Sequence, residues 1–117
     1  MSQSATETHL QRKYPRREFR RGVGVLSAGH YILAESIDIG EGGLSFQSEF
    51  MLDAIKTVVI TFQIPNGEMI SVAGTIRNQR QEGDKVHAGL SFNALTFTYK
   101  RQIRYYVSSR AETAGAS

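Results

Sequence analysis

The chain contains no cysteine. A disulfide framework and thiolate metal sites are excluded, and such a composition suits a reducing cytosol. Its unbroken apolar runs are only a few residues long, so no segment is expected to insert into a membrane. The opening stretch MSQSATETHLQRKYPRR has no apolar h-region, and no secretory signal is expected. His9, His30 and His87 lack metal-ligand spacing. No Ser/His/Asp order or carboxylate pair stands out for nucleophilic or acid–base chemistry. These absences predict a protein that is not an enzyme and holds no metal or cofactor.

What is present fits one small domain: 117 residues, 40% hydrophobic and 21% charged. The net charge is only +3, but it is unevenly placed. Arg12, Lys13, Arg16, Arg17, Arg20 and Arg21 face only Glu7 and Glu18 within residues 1–30, and the rest of the chain is close to neutral. A second basic cluster, Lys100, Arg101, Arg104 and Arg110, lies near the C-terminus. A local basic arm points to a compact anionic partner, and the near-neutral body argues against long nucleic acid.

Along the chain, residues 1–13 read as a flexible polar tail, 14–110 as the domain and 111–117 as a frayed end. Six runs carry strand signals: RGVGVLS, YILAESIDI, GGLSFQS, TVVITFQI, EMISVAGTIRN and VHAGLSF. Alternation puts Val23 and Val25, Leu44 and Phe46, and Val58, Ile60, Phe62 and Ile64 on buried faces. The same reading buries Ile70, Val72, Gly74 and Ile76, and Val86, Ala88, Leu90 and Phe92. SAGH, PNG and EGDK supply tight turns. The period then changes. TFTYKRQIRYYVSSR places Tyr99, Ile103, Tyr106, Val107 and Arg110 at helical spacing, with Thr96 or Thr98 as the cap. Arg104 and Arg110 suit the helix dipole there, while Lys100, Arg101 and Arg104 read as a solvated face. The expected fold is all-β: a six-stranded antiparallel β-barrel with a C-terminal α-helix.

Two segments carry chemistry. RREFRR, residues 16–21, concentrates guanidinium groups, which hold phosphate in parallel hydrogen bonds and stack on or pair with guanine. On an extended arm Arg17 and Arg21 would lie on one side, about 13 Å apart. SIDIGEGGLSF puts Asp38 before Gly40, Gly42 and Gly43. A carboxylate accepts from the Watson–Crick edge of guanine, and glycines leave room for a flat ligand. Taken singly, each has a plainer reading: a solvated tail, a turn aspartate, a bulge glycine. Phe19 reads as a core anchor that fastens the arm to the barrel mouth.

The pair of motifs resembles the PilZ domain, a bacterial receptor family for the second messenger cyclic di-GMP. Arg17-Glu18-Phe19-Arg20-Arg21 matches the family's RxxxR, and Asp38-Ile39-Gly40-Glu41-Gly42-Gly43 its [D/N]xSxxG, with Gly40 in place of the serine. HAGLSF is similar to the family's closing strand. The resemblance implies a non-enzymatic cyclic di-GMP receptor that signals to a protein partner. It implies a ligand set of Arg16, Arg17, Arg21, Asp38, Gly40 and Gly43 and an arm that folds over the ligand. An arginine at the Arg16 position accompanies two stacked nucleotides in some relatives. Where the family often has a guanine-stacking aromatic, near position 78, the sequence offers Arg77 or Arg80. Two other readings remain: a degenerate relative acting as a protein adaptor without nucleotide, and a small nucleic-acid-binding barrel.

Overall fold

The computed structural model describes residues 15–52 and 57–116. The tail read over 1–13 lies outside them. The strands are β1 (Arg16–Glu18), β2 (Gly22–Ser27), β3 (His30–Gly40), β4 (Gly43–Ser48), β5 (Thr57–Gln63), β6 (Met69–Glu82) and β7 (Lys85–Phe92), followed by one helix, α1 (Phe97–Ala116). Strands β3-β2-β5-β6-β7-β4 hydrogen-bond in that order, every pair antiparallel, and β3 also pairs with β4. The ring is therefore closed, and its six strands have no open edge. Strand β1 is additional. It lies beside the far end of the long β3, with Arg16 opposite Gly40, Arg17 opposite Ile39 and Glu18 opposite Asp38.

The alternating residues fill the barrel as their periodicity predicts. Val23, Val25, Leu44, Phe46, Val58, Ile60, Phe62, Ile70 and Val86 are all essentially inaccessible. Short turns make this possible. Ala28 and Gly29 both have positive φ, 50° and 83°, as a two-residue primed turn between β2 and β3 requires. In the Pro65–Gly67 turn Asn66 takes the left-handed conformation at φ 62°, and the Gly67 N–H donates to the Ile64 carbonyl at 2.8 Å.

Two strands break the alternation. In β3 both Ser36 and Ile39 are fully buried although they are three residues apart. The β3–β4 register shifts between Ser36 and Asp38, so Ile37 is an extra residue. In β6 a second shift falls between Ile76 and Asn78 and leaves Arg77 extra. Each bulge reverses which face the later residues of its strand occupy. Asp38 turns outward while Ile39 enters the core. Asn78 turns outward while Gln79 faces in, where its amide holds the Leu52 backbone at 2.8 and 3.0 Å.

The basic arm is paired to the barrel. Phe19 is buried, edge-on to Phe62 and Tyr106 with centroids at 6.0 and 5.7 Å. The Phe19 N–H donates to the Ile37 carbonyl at 2.9 Å, and the Ser36 N–H to the Arg21 carbonyl at 2.8 Å. The buried Ser36 hydroxyl donates to the Phe19 carbonyl and accepts the Arg21 N–H at 3.0 Å. Core burial of one ring and these bonds hold residues 16–21 as a strand and its continuation.

Thr96 caps α1: its Oγ1 accepts the Tyr99 N–H at 3.3 Å. Tyr99, Ile103, Tyr106 and Val107 form the face that packs on the barrel. The helix runs past Arg110 to Ala116, so Arg104 sits near its middle rather than in a C-terminal turn. Nor is Arg104 merely solvated. Its Nε and Nη2 donate to Glu41 at 2.8 and 3.1 Å, which ties α1 to the loop between β3 and β4. Hydrogen bonding from Arg104 lowers the Glu41 carboxyl below its ordinary 4.5 despite partial desolvation, and the charges of Arg104 and Lys100 add to this.

Substitutions at two positions test this packing. A Cβ at Gly43 would lie 2.0 Å from the Leu90 carbonyl oxygen, whereas one at Gly42 would meet nothing within 4 Å. Gly43→Ala should therefore cost about 1–3 kcal/mol, and thermal melting should show it as a drop of several degrees, with Gly42→Ala near wild type. Equal melting of the two variants would refute the close approach of β4 and β7. The Glu41 carboxyl is depressed on folding, so its contribution is complete above pH 4.5 and fades as pH falls through the lower folded value. Urea midpoints of wild type and Glu41→Gln should accordingly differ at neutral pH and converge on acidification below 4.5.

Candidate functional site

The outward turn of Asp38 places its carboxylate beside β1. Arg16 Nη2 and Nε approach the same Asp38 oxygen at 2.5 and 3.1 Å, and Nη2 also lies 3.4 Å from Ser45 Oγ. Both side chains remain more than a third exposed. Next to them a cavity of about 420 Å³ is lined by Arg16, Gly40, Gly43, Ser45, Arg77 and Gly89 among others. A second hollow, about 290 Å³, adjoins it through Ser45, Asn78 and Gly89, and adds Asp38, Arg80 and His87. The two form one shallow rim over the outer faces of β3, β4, β7 and β6.

The bulged residues of β6 line this rim. Arg77 Nε donates to Ser91 Oγ at 2.6 Å, which lays the guanidinium along the cavity. The Asn78 amide sits 3.1–3.2 Å from where a Gly89 Cβ would be, so glycine there makes its room. Arg80 pairs with Glu82 at 2.5 Å, and His87 Nε2 stands 3.6 Å from the same carboxylate. The Glu82 carboxyl is lowered, chiefly by its hydrogen bond from Arg80. Arg16, Arg77 and Arg80 thus surround the rim with donors, and Asp38 is its acceptor. Among the described residues, no group of three or more His, Cys, Asp or Glu side chains is placed to hold a metal.

Of the six residues singled out in the sequence, the fold brings four together: Arg16, Asp38, Gly40 and Gly43. Arg17 and Arg21 lie elsewhere. Successive strand residues point to opposite faces, so Arg17 projects away from Arg16. Its guanidinium stacks 3.9 Å from the centre of the Tyr106 ring, and Nη1 donates to the Tyr106 carbonyl at 3.0 Å. Tyr106 Oη in turn donates to the Glu18 carbonyl at 3.1 Å. The Arg21 side chain is exposed and lines neither hollow, because the chain has left β1 by then and its backbone is bound to Ser36. The glycines that line the rim also serve the fold. Gly43 accommodates Leu90, and a Cβ at Gly40 would meet the Pro15 carbonyl at 2.9 Å and Arg16 Cγ at 3.1 Å. Gly40 is thus the position against which β1 rests.

Sequence reasoning missed Ser45, Asn78, Gly89 and Ser91, which come from separate strands, and the helix partners Glu41 and Tyr106. The one available signal was the interrupted alternation in SIDIG and TIRNQR, where polar and apolar residues exchange parity.

This architecture recurs in solved structures. The chain is similar to the Bacillus subtilis inhibitor of motility MotI/DgrA, with TM-score 0.78 and 15% identity over 87% of this chain and 52% of that one. It is similar to Escherichia coli YcgR crystallised with c-di-GMP, with TM-score 0.71 and 13% identity over 91% of this chain and 48% of that one. It thus spans about half the length of these two proteins. The PilZ domain of CeSA from a cellulose-synthesizing bacterium aligns over 82% of this chain and 97% of its own, with 15% identity and TM-score 0.60. No curated protein matches in sequence. The family model of the PilZ domain matches residues 10–109, nearly the whole length, and the chain belongs to the PilZ domain family.

Proposed function

We propose that the chain is a non-enzymatic receptor for cyclic di-GMP that passes the binding event to a protein partner. The observation that carries this reading is the Arg16–Asp38 pair at the edge of a rim that also holds Arg77 and the Gly40–Gly43 loop. YcgR, a structural neighbour, was crystallised with c-di-GMP. A diguanylate needs donors for phosphate and for guanine O6 and N7, and an acceptor for the guanine N–H edge. Arg16 and Arg77 supply the first, and Asp38 the second.

Binding requires the Arg16–Asp38 pair to open. An exposed pair of this kind contributes about 0–1 kcal/mol, whereas each hydrogen bond to a charged group is worth about 1.5–3 kcal/mol. The exchange therefore favours the ligand. Arg17 and Arg21 join it only if the arm turns, which draws Arg17 off Tyr106. That displacement is the change a partner would sense, and it makes binding an ordering event with differential contacts in two states. Gly40 withholds the family's serine hydroxyl, which lowers affinity by about 0.5–1.5 kcal/mol. The cytoplasm is the compartment we assign, on the lack of cysteine.

One observation favours the adaptor reading instead. Strand β1 rests on Gly40, and Arg16 already occupies Asp38, so the chain itself fills one edge of the rim. Titration calorimetry with cyclic di-GMP separates the two. The receptor reading expects saturable heat, weakened at least about tenfold in both Arg16→Ala and Asp38→Ala, since tenfold corresponds to about 1.4 kcal/mol. Absence of heat at millimolar ligand from a folded, monodisperse sample would overturn the receptor reading and favour the adaptor.

A further inference from the structure

A second concave site lies away from the rim. It is a groove of about 770 Å³ between α1 and the Pro65–Gly67 turn. Its cationic wall consists of Arg17, Arg101 and Arg104, and Ile64, Pro65, Tyr105 and Tyr106 give it apolar surface. No carboxylate among the described residues lines it. Arg104 is neutralised by Glu41, but Arg17 and Arg101 make no ion pair among the described residues. Arg101 lies 5.6 Å above the ring of the exposed Phe97, and Tyr105 is 76% exposed.

The groove is formed in advance. Gln102 Oε1 accepts the Glu68 N–H at 3.0 Å, which fixes the turn against the helix. Its helix wall extends from Thr98 to Ser109, about 16 Å at 1.5 Å per residue. An extended peptide of about five residues covers that length. It exceeds what one nucleotide would span. The chain's own residues 1–14 are a poor occupant, because Arg12 and Lys13 outnumber Glu7 there.

We infer that this groove docks an extended acidic segment of a protein partner, with its carboxylates on Arg17 and Arg101 and an aromatic or aliphatic side chain against Tyr105 and Tyr106. Charge complementarity without a competing acid in the lining sets the sign of the partner. The exposed Tyr105, beside the half-buried Tyr106, supplies the anchor that interface cores favour. Docking here requires no nucleotide at the rim.

The test uses the full chain labelled with nitrogen-15 and a blocked pentapeptide of four acidic residues around a central phenylalanine. Saturable amide shifts confined to Arg17, Ile64–Gly67 and Thr98–Ser109 are expected. Arg101→Glu should weaken binding at least about tenfold, and raising salt from about 50 to 200 mM should weaken it further. A basic pentapeptide of the same pattern should leave the spectrum unchanged. The inference is overturned by an acidic probe that produces no saturable shifts, by equal binding of the basic probe, or by an Arg101→Glu variant that binds as wild type. Guanosine monophosphate reproducing the same shifts would also overturn it, since the groove would then be a nucleotide site.

Discussion

A closed barrel obliges every second residue of each strand to fill its interior, and only a bulge releases a strand from that rule. Both bulges of this barrel lie under the rim. Without the extra Ile37, Asp38 would continue the inward parity of Ala34 and Ser36 and bury a carboxylate in a core of Ile39, Leu44 and Phe46. Such burial costs several kcal/mol unless paired. The bulge puts the carboxylate on the surface and Ile39 in the core, satisfying both. The bulge at Arg77 does the same for Asn78 and brings two more polar groups to the same patch. The chemistry of the rim is set by how the barrel is closed.

A second, local constraint produces strand β1. Gly40 has no Cβ, so Pro15 and Arg16 can lie against it, and the Phe19 ring anchors the chain beyond β1 in the core. A serine at position 40 would press its Cβ to 2.9 Å from the Pro15 carbonyl. The departure from the family motif thus has a structural account. It removes a hydroxyl from the rim and admits an extra strand there.

The barrel was legible in the sequence because its strands obey strict alternation and its turns use glycine, asparagine and proline where positive φ or fixed φ is needed. Asp38 was legible as part of a motif, Gly40 as that motif's departure, and Arg16 as the residue just before the other motif. The placement of Arg17 was not. Spacing on an extended arm says which residues share a side, but not that the side facing Arg17 holds Tyr106, a residue 89 positions later. The role of Arg104 was hidden for the same reason. Its partner Glu41 is 63 residues away, and helical periodicity alone describes it as solvated. The close approach of Gly43 to Leu90 is a contact across β4 and β7 that local sequence does not encode.

The rim and the helix groove share one connection, and it is short. Arg16 and Arg17 are neighbours on β1, one bound to Asp38 and the other to Tyr106. A strand residue cannot be moved without its neighbour, because planar peptide units link them. Whatever withdraws Arg16 from Asp38 by shifting β1 also strains the stack of Arg17 on Tyr106. Whatever fixes Arg17 in the groove steadies Arg16 at the rim. Linkage makes that influence equal in both directions: a partner that favours the seated β1 opposes a rim ligand by the factor with which the ligand opposes the partner. The size of the effect is bounded by the contacts exchanged at two arginines, on the order of 1–3 kcal/mol. By the usual conversion that is roughly a 5- to 150-fold change in affinity, and it requires no movement of the barrel itself.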